Sequence, residues 1–112
     1  MEHAMALPLA VMMEQASRQQ LVLSRRLDDG RELLVYPLQA GALVGLGLRS
    51  DVADGADPAA VLHRRGRDMA RYGAWLPALF DDGSLYVLWR CGAATDALPA
   101  AALAAAQELL DA

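Results

Sequence analysis

The spacing of apolar positions changes several times along this chain, and each change marks an element. Pro8 followed by Leu9, Met12, Met13 and Ala16 keeps the i, i+3, i+4, i+7 spacing of a short amphipathic helix, with the proline in its first turn and an end near Ser17. From Gln20 to Leu27 the period becomes two: Leu21, Leu23 and Leu27 alternate with Gln20, Ser24 and Arg26. Arg31 to Leu38 predicts a second strand, which Pro37 ends or places at an edge because proline has no N–H for a ladder. Ala40-Gly41 turns the chain into a third strand, Ala42 to Arg49, whose Gly45 and Gly47 share one face.

Two similar turns punctuate the pattern. Leu27-Asp28-Asp29-Gly30 and Phe80-Asp81-Asp82-Gly83 each lie between runs of β-type residues, and an Asp-Gly step supplies the positive φ that a tight hairpin requires. Between the hairpins, Ser50 to Ala56 is polar and loop-like, and Asp57-Pro58 offers an N-cap followed by proline at the first helical position. That second helix is expected to run to about Arg71, with Gly73 breaking it. Ala74 to Phe80 and Ser84 to Cys91 then form the second hairpin. Leu98-Pro99 opens a last helix with Leu98, Ala102, Leu103, Ala106, Leu109 and Leu110 on one face and Glu108 and Asp111 opposite. The order is α-β-β-β-α-β-β-α, an α+β fold in which helices pack on an antiparallel sheet.

The second helix carries more apolar surface than one contact needs. At 100° per residue, Pro58, Val61, Leu62, Met69 and Tyr72 share a face, and the small residues Ala59, Gly66 and Ala70 lie beside it. Gly66 in a helix interior costs about 1 kcal/mol relative to alanine, which a close approach of another backbone would offset. Arg65 falls within the apolar face, where its charge calls for an acidic partner, in this chain or across an interface. These features predict a homodimer centred on the second helix, with Leu62, Arg65, Gly66, Met69 and Trp75 at the contact.

At 112 residues the chain is one domain, 1-112, able to bury roughly 65% of its unfolded surface. Its hydrophobic fraction of 55% is high beside only 5% aromatic residues, which favours a partner covering part of the apolar surface. The net charge is -4, so release of counterions from nucleic acid is not expected to drive binding. The single cysteine, Cys91, forms no internal disulfide and fits a reducing cytoplasm. The apolar start carries no Lys or Arg ahead of it, unlike a signal peptide, and the longest uncharged run, Leu33 to Leu48, is interrupted by proline and glycine. No membrane association is expected.

Motifs for catalysis do not emerge. Gly45-Leu46-Gly47 has two glycines of a dinucleotide loop, but Ser50 stands where the third would be and the run lies inside a strand. Asp51, Asp54 and Asp57 are spaced by three, unlike the alternating ligands of a calcium loop, and read as a solvated loop with a helix cap. His3, His63 and Cys91 are too few for a zinc site. There is no G-x-S-x-G nucleophile turn, and Cys91 falls in a strand where inert thiols are common. Arg64, Arg67 and Arg71 form a basic face better read as solvated than as a nucleic-acid surface. Catalytic residues, bound metal and cofactors are therefore all expected to be none. Trp75 and Trp89 occupy corresponding hairpin positions, suited to core or interface packing.

From Leu9 to Leu110 the chain resembles the class I chaperones of type III secretion systems, which serve secreted effectors. The resemblance rests on the order of elements, on small size with acidic charge, and on Asp82-Gly83-Ser84-Leu85-Tyr86-Val87-Leu88-Trp89-Arg90 leading to Leu98-Pro99 and an Ala/Leu helix. It implies a homodimer without enzymatic activity that holds an effector's N-terminal segment in extended form until export, with the secretion ATPase as a further contact. The resemblance also places the dimer contact on the second helix and its neighbouring strand. The short first helix and Pro77 in the fourth strand depart from the family pattern. Met12 and Met13 beside Leu21 and Leu23 are the candidate effector groove, since thioethers re-pack around varied side chains; closure of the core by the same four residues is the competing reading. A small dimeric scaffold of the roadblock or longin type is the alternative class, though its strands and helices are ordered differently.

Overall fold

The computed structural model describes residues 3–27, 30–48, 57–92 and 100–111. Its elements run α1 (His3–Gln19), β1 (Leu23–Arg26), β2 (Glu32–Leu38), β3 (Gly41–Leu48), α2 (Pro58–Arg67), α3 (Met69–Tyr72), β4 (Leu76–Leu79), β5 (Leu85–Cys91) and α4 (Ala100–Leu110). The strands form one five-stranded antiparallel sheet in the order β1-β2-β3-β5-β4. The fold is α+β, with the expected order of elements and the second helix divided in two.

Both Asp-Asp-Gly turns close with the same hydrogen bonds. Leu27 N–H donates to the Arg31 carbonyl at 2.7 Å and Gly30 N–H to the Leu27 carbonyl at 3.0 Å; Phe80 N–H donates to Ser84 at 2.8 Å and Gly83 N–H to Phe80 at 2.9 Å. Gly30 and Gly83 have φ of 89° and 90°, in the left-handed region that glycine enters without a Cβ clash. Asp28 and Asp29 lie outside the described residues. In the second turn the Asp82 carboxylate accepts from Ser84 N–H at 2.8 Å.

Register sorts the strand residues onto two faces. Leu33, Val35, Ala42, Val44, Leu46, Leu85, Val87 and Cys91 point to one side, where Leu9, Met12, Met13 and Ala16 of α1 meet them. Val61 of α2, Tyr72 of α3, Trp75, and Leu103, Ala106, Leu109 and Leu110 of α4 complete this core. All of the helices therefore contribute to the same side of the sheet. The last helix presents the face expected of it, with Glu108 and Asp111 exposed, while Leu98 and Pro99 lie outside the described residues.

Several boundaries differ from the sequence expectation for physical reasons. Helix α1 starts at His3, so Pro8 sits beyond its first turn; packing of Leu9, Met12, Met13 and Ala16 outweighs the local backbone preference. The short first helix inferred from sequence is thus corrected to one of 17 residues. It ends as Gln20 adopts φ 55° and Leu21 N–H reaches back to the Ala16 carbonyl at 3.3 Å, a Schellman-type end that delays β1 to Leu23. Helix α2 stops at Arg67 rather than Arg71. Asp68, at φ -145° and ψ 70°, breaks the helix and caps α3 by accepting from Arg71 N–H at 3.3 Å. Asp57 caps α2 as expected, accepting from Ala59 N–H at 3.0 Å, with Pro58 following it. Pro37 pairs with Ala42 of β3 beyond the end of β1, whose last partner is Val35, so the missing donor faces no neighbouring strand on that flank. The loop expected over Ser50 to Ala56, with Asp51 and Asp54, lies outside the described residues.

Candidate protein-binding surfaces

The residues expected at a dimer contact separate into two groups. Leu62 and Met69 are 57% and 51% exposed, and a Cβ on Gly66 would meet nothing within 4 Å. Each of the three is accessible in the single chain. Trp75 is fully buried: its indole N–H donates to the Ala102 carbonyl of α4 at 2.9 Å, and its ring lies 5.2 Å from that of Trp89. Its role in this chain is to join α4 to the second hairpin. Among the described residues Arg65 meets no carboxylate in its own chain. Its Nε and a terminal nitrogen donate to the carbonyls of Trp75 and Gly73, each at 2.8 Å, so the charge is met by main-chain groups left over where α3 ends.

A carboxylate on α4 holds the α2–α3 unit from the other side. Glu108 accepts from Arg71 Nε at 2.9 Å and a terminal Arg71 nitrogen at 2.6 Å, and from the Tyr72 hydroxyl at 3.0 Å. Its main-chain carbonyl accepts from Arg64 at 2.8 Å. The hydrogen bonds from Arg71 and then Tyr72 hold the Glu108 carboxyl below its ordinary range. Arg64 and Arg71, two members of the basic face, are therefore engaged in holding α4.

The candidate effector groove is also divided. Met12 and Met13 are buried in the core, and Leu23 packs against that core partly buried; Leu21 alone stands out, 53% exposed. In the single chain both methionines belong to the core cluster. Val22 is exposed like Leu21, and the two leave an apolar fringe at the start of β1.

The two sheet edges are chemically unlike. Alternate pairs in an antiparallel ladder exchange main-chain bonds, and the bonded Phe80 and Ser84 set the phase for β4. Pro77, opposite Val87, falls on a non-exchanging pair, so the ring nitrogen that cannot donate faces the free edge. On β1 the phase set by Leu27 and Arg31 makes Ser24, opposite Leu34, a non-exchanging pair with N–H and C=O directed outward. β1 pairs with β2 alone and contains no proline.

The sheet face away from the helices is apolar too. Across it run the rows Ser24, Leu34, Gly45, Leu88, Leu76 and Tyr36, Leu43, Arg90, with Glu32, Gly47, Tyr86 and Ala78 in a third. Tyr86 is buried yet stands apart from the main core, its ring stacked on Phe80 with centroids 4.8 Å apart. A signal for this face was present in the sequence: β2, β3 and β5 read as nearly continuous apolar runs, ELLVYPL, GALVGLGL and LYVLWRC, where a sheet with one solvated face would alternate.

Among the described residues no group of three or more His, Cys, Asp or Glu side chains could hold a metal ion, and no helix is long and apolar enough to cross a membrane. Cys91 is a buried thiol, and His63 is exposed on α2. Comparison with protein-family models, curated proteins and solved structures finds no match for the chain. Among the described residues three features stand accessible: the apolar side chains Leu62 and Met69 on α2 and α3, the outward main-chain groups of β1, and a sheet face on which no described helix packs.

Proposed function

We propose that this chain is a non-catalytic, cytoplasmic secretion chaperone that binds the N-terminal segment of a secreted effector in extended form and keeps it competent for type III secretion. The observation that carries the reading is the β1 edge, where an outward main-chain pair at Ser24 lies in a proline-free edge strand that follows directly on exposed Leu21 and Val22. An extended segment added there would gain affinity from main-chain bonds and specificity from side chains against the apolar fringe. Pro77 disfavours the same mode at β4, which makes β1 the edge of choice. The order of elements, with a sheet covered by helices on one side, supports the same class. The working unit in this proposal is a homodimer joined through Leu62, Gly66 and Met69 on α2 and α3.

Co-expression of the chain with the products of neighbouring genes, followed by co-purification and amide hydrogen exchange, tests the proposal. The expected result is a stable complex with an exported protein's N-terminal segment and slowed exchange at Ser24. Ser24→Pro removes the outward donor without removing a β1–β2 bond, and is expected to abolish capture while leaving thermal unfolding little changed. Capture that survives Ser24→Pro, or slowed exchange confined to other strands, would overturn the edge assignment.

A further inference from the structure

We propose that the helix-free face of the sheet is a docking surface for an acidic amphipathic helix of a partner protein. Its centre is apolar. Leu34, Leu43 and Leu88 are half-buried, Tyr36 and Leu76 are 50% and 56% exposed, and Phe80 extends the surface over Tyr86. The glycine column of β3 flattens it. A Cβ on Gly45 would lie 2.9 Å from a methyl of Leu88, and the Tyr86 ring occupies the space over Gly47, so side chains from β5 lie flat across β3 toward β2. The result is a broad surface without a central ridge.

Backbone chemistry decides the form of the occupant. In the interior of the sheet, N–H and C=O groups are committed to the ladder, and the face presents side chains alone. A segment lying over β2, β3 and β5 finds no main-chain partners there and must satisfy its own, as a helix does. This separates the surface from the β1 edge, where an extended segment can pair, and the inference does not rest on the secretion role.

Charge decides the sign. Among the described residues of this face the one carboxylate, Glu32, is buried and accepts from the Tyr86 hydroxyl at 2.8 Å; of the two arginines Arg26 is already engaged, which leaves Arg90 to set the sign. Arg90 sits in the row with Tyr36 and Leu43, is exposed, and among the described residues makes no ion pair or side-chain hydrogen bond. A second copy packed face to face would carry its own arginines into the apolar contact. A helix with an apolar stripe at i, i+3, i+4, i+7 flanked by Glu or Asp covers the leucines and gives Arg90 a carboxylate.

Three fluorescein-labelled synthetic helices with the same leucine stripe and Glu, Lys or Gln elsewhere provide the test, with binding to the full chain read by fluorescence anisotropy. The Glu peptide is expected to bind about tenfold tighter than the Lys peptide, and Arg90→Glu to reverse that order. Tyr36→Asp and Leu76→Asp, at exposed positions, should each weaken the Glu peptide about tenfold or more with unchanged thermal unfolding. Equal binding of all three peptides, an order unaltered by Arg90→Glu, or equal binding of a proline-interrupted Glu peptide would overturn the proposal. A dimer that Tyr36→Asp dissociates in sedimentation would make a second copy the occupant and refute the acidic-helix assignment.

Discussion

Tyr86 donates its hydroxyl to Glu32 from two strands away, at 2.8 Å, across Gly47, which is the register partner of both residues. Without a side chain at Gly47, the phenol ring lies flat over β3 and the carboxylate at the start of β2 stays buried with a donor. Gly47→Val places a branched side chain where the ring lies. The expected loss is about 1–3 kcal/mol from overpacking, in addition to displacement of the Tyr86–Glu32 bond. Tyr86→Phe keeps the ring and removes the donor, with an expected loss of about 1–3 kcal/mol for the buried carboxylate. Urea unfolding of both variants checks the pair; a Tyr86→Phe protein as stable as wild type would show that the bond contributes nothing net.

The Glu108 cluster predicts a pH dependence of known sign. Bonds from Arg71 and Tyr72 depress the folded-state pKa of Glu108 below its unfolded value, so the contribution to stability is present above the ordinary carboxylate range and is lost as pH falls through the folded value. Glu108→Gln should therefore show a shallower fall of melting temperature with acidification below that range than wild type. Parallel melting curves in buffers spanning neutral to strongly acidic pH provide the comparison. Superimposable slopes would show that Arg71 and Tyr72 hold α4 without relying on the charge.

Much of the fold was readable because its signals are local. Asp-Asp-Gly turns, Asp57-Pro58 at the start of α2 and the leucine spacing of α4 each act over a few residues, and each lies where its chemistry requires. What escaped is tertiary. Nothing near Pro8 announces a helix that begins at His3, because the stabilising contacts of α1 come from the sheet. The carbonyls of Gly73 and Trp75 that receive Arg65 are available only once Asp68 has divided the helix, so a reading of side-chain types alone looked for a carboxylate. For the binding surfaces, helical spacing in α1 marked Met12 and Met13 equally well as core or groove. The apolar runs of β2, β3 and β5 held the stronger indication that a second face awaits a cover.

Burial of those methionines changes what their replacement should do. Met12 and Met13 are 7% and 3% exposed, among Leu9, Ala16 and the core face of the sheet. Met12→Asp with Met13→Asp puts two carboxyl groups into that core, each expected to destabilise by several kcal/mol, enough to unfold a domain of this size. Loss of cooperative melting is the expected result. A double variant that stays folded and loses only partner binding would restore the groove assignment.

The dimer proposal is decided at Gly66. In the single chain a Cβ there enters open space, and with Gly66 the penultimate residue of α2, Gly66→Ala should stabilise an isolated protomer by no more than about 1 kcal/mol. Across a tight helix contact the same position has no such freedom. Gly66→Leu should then separate the paired helices and weaken association about tenfold or more, with Leu62 and Met69 on either side losing their cover. Arg65→Glu is a poor probe of that contact, because the guanidinium already holds the Gly73 and Trp75 carbonyls within its own chain and its loss would act on the protomer. Sedimentation velocity at micromolar concentration separates the outcomes. A wild-type dimer that Gly66→Leu converts to a folded monomer supports the α2 interface, whereas a wild-type monomer, or a dimer that Gly66→Leu leaves intact, removes it.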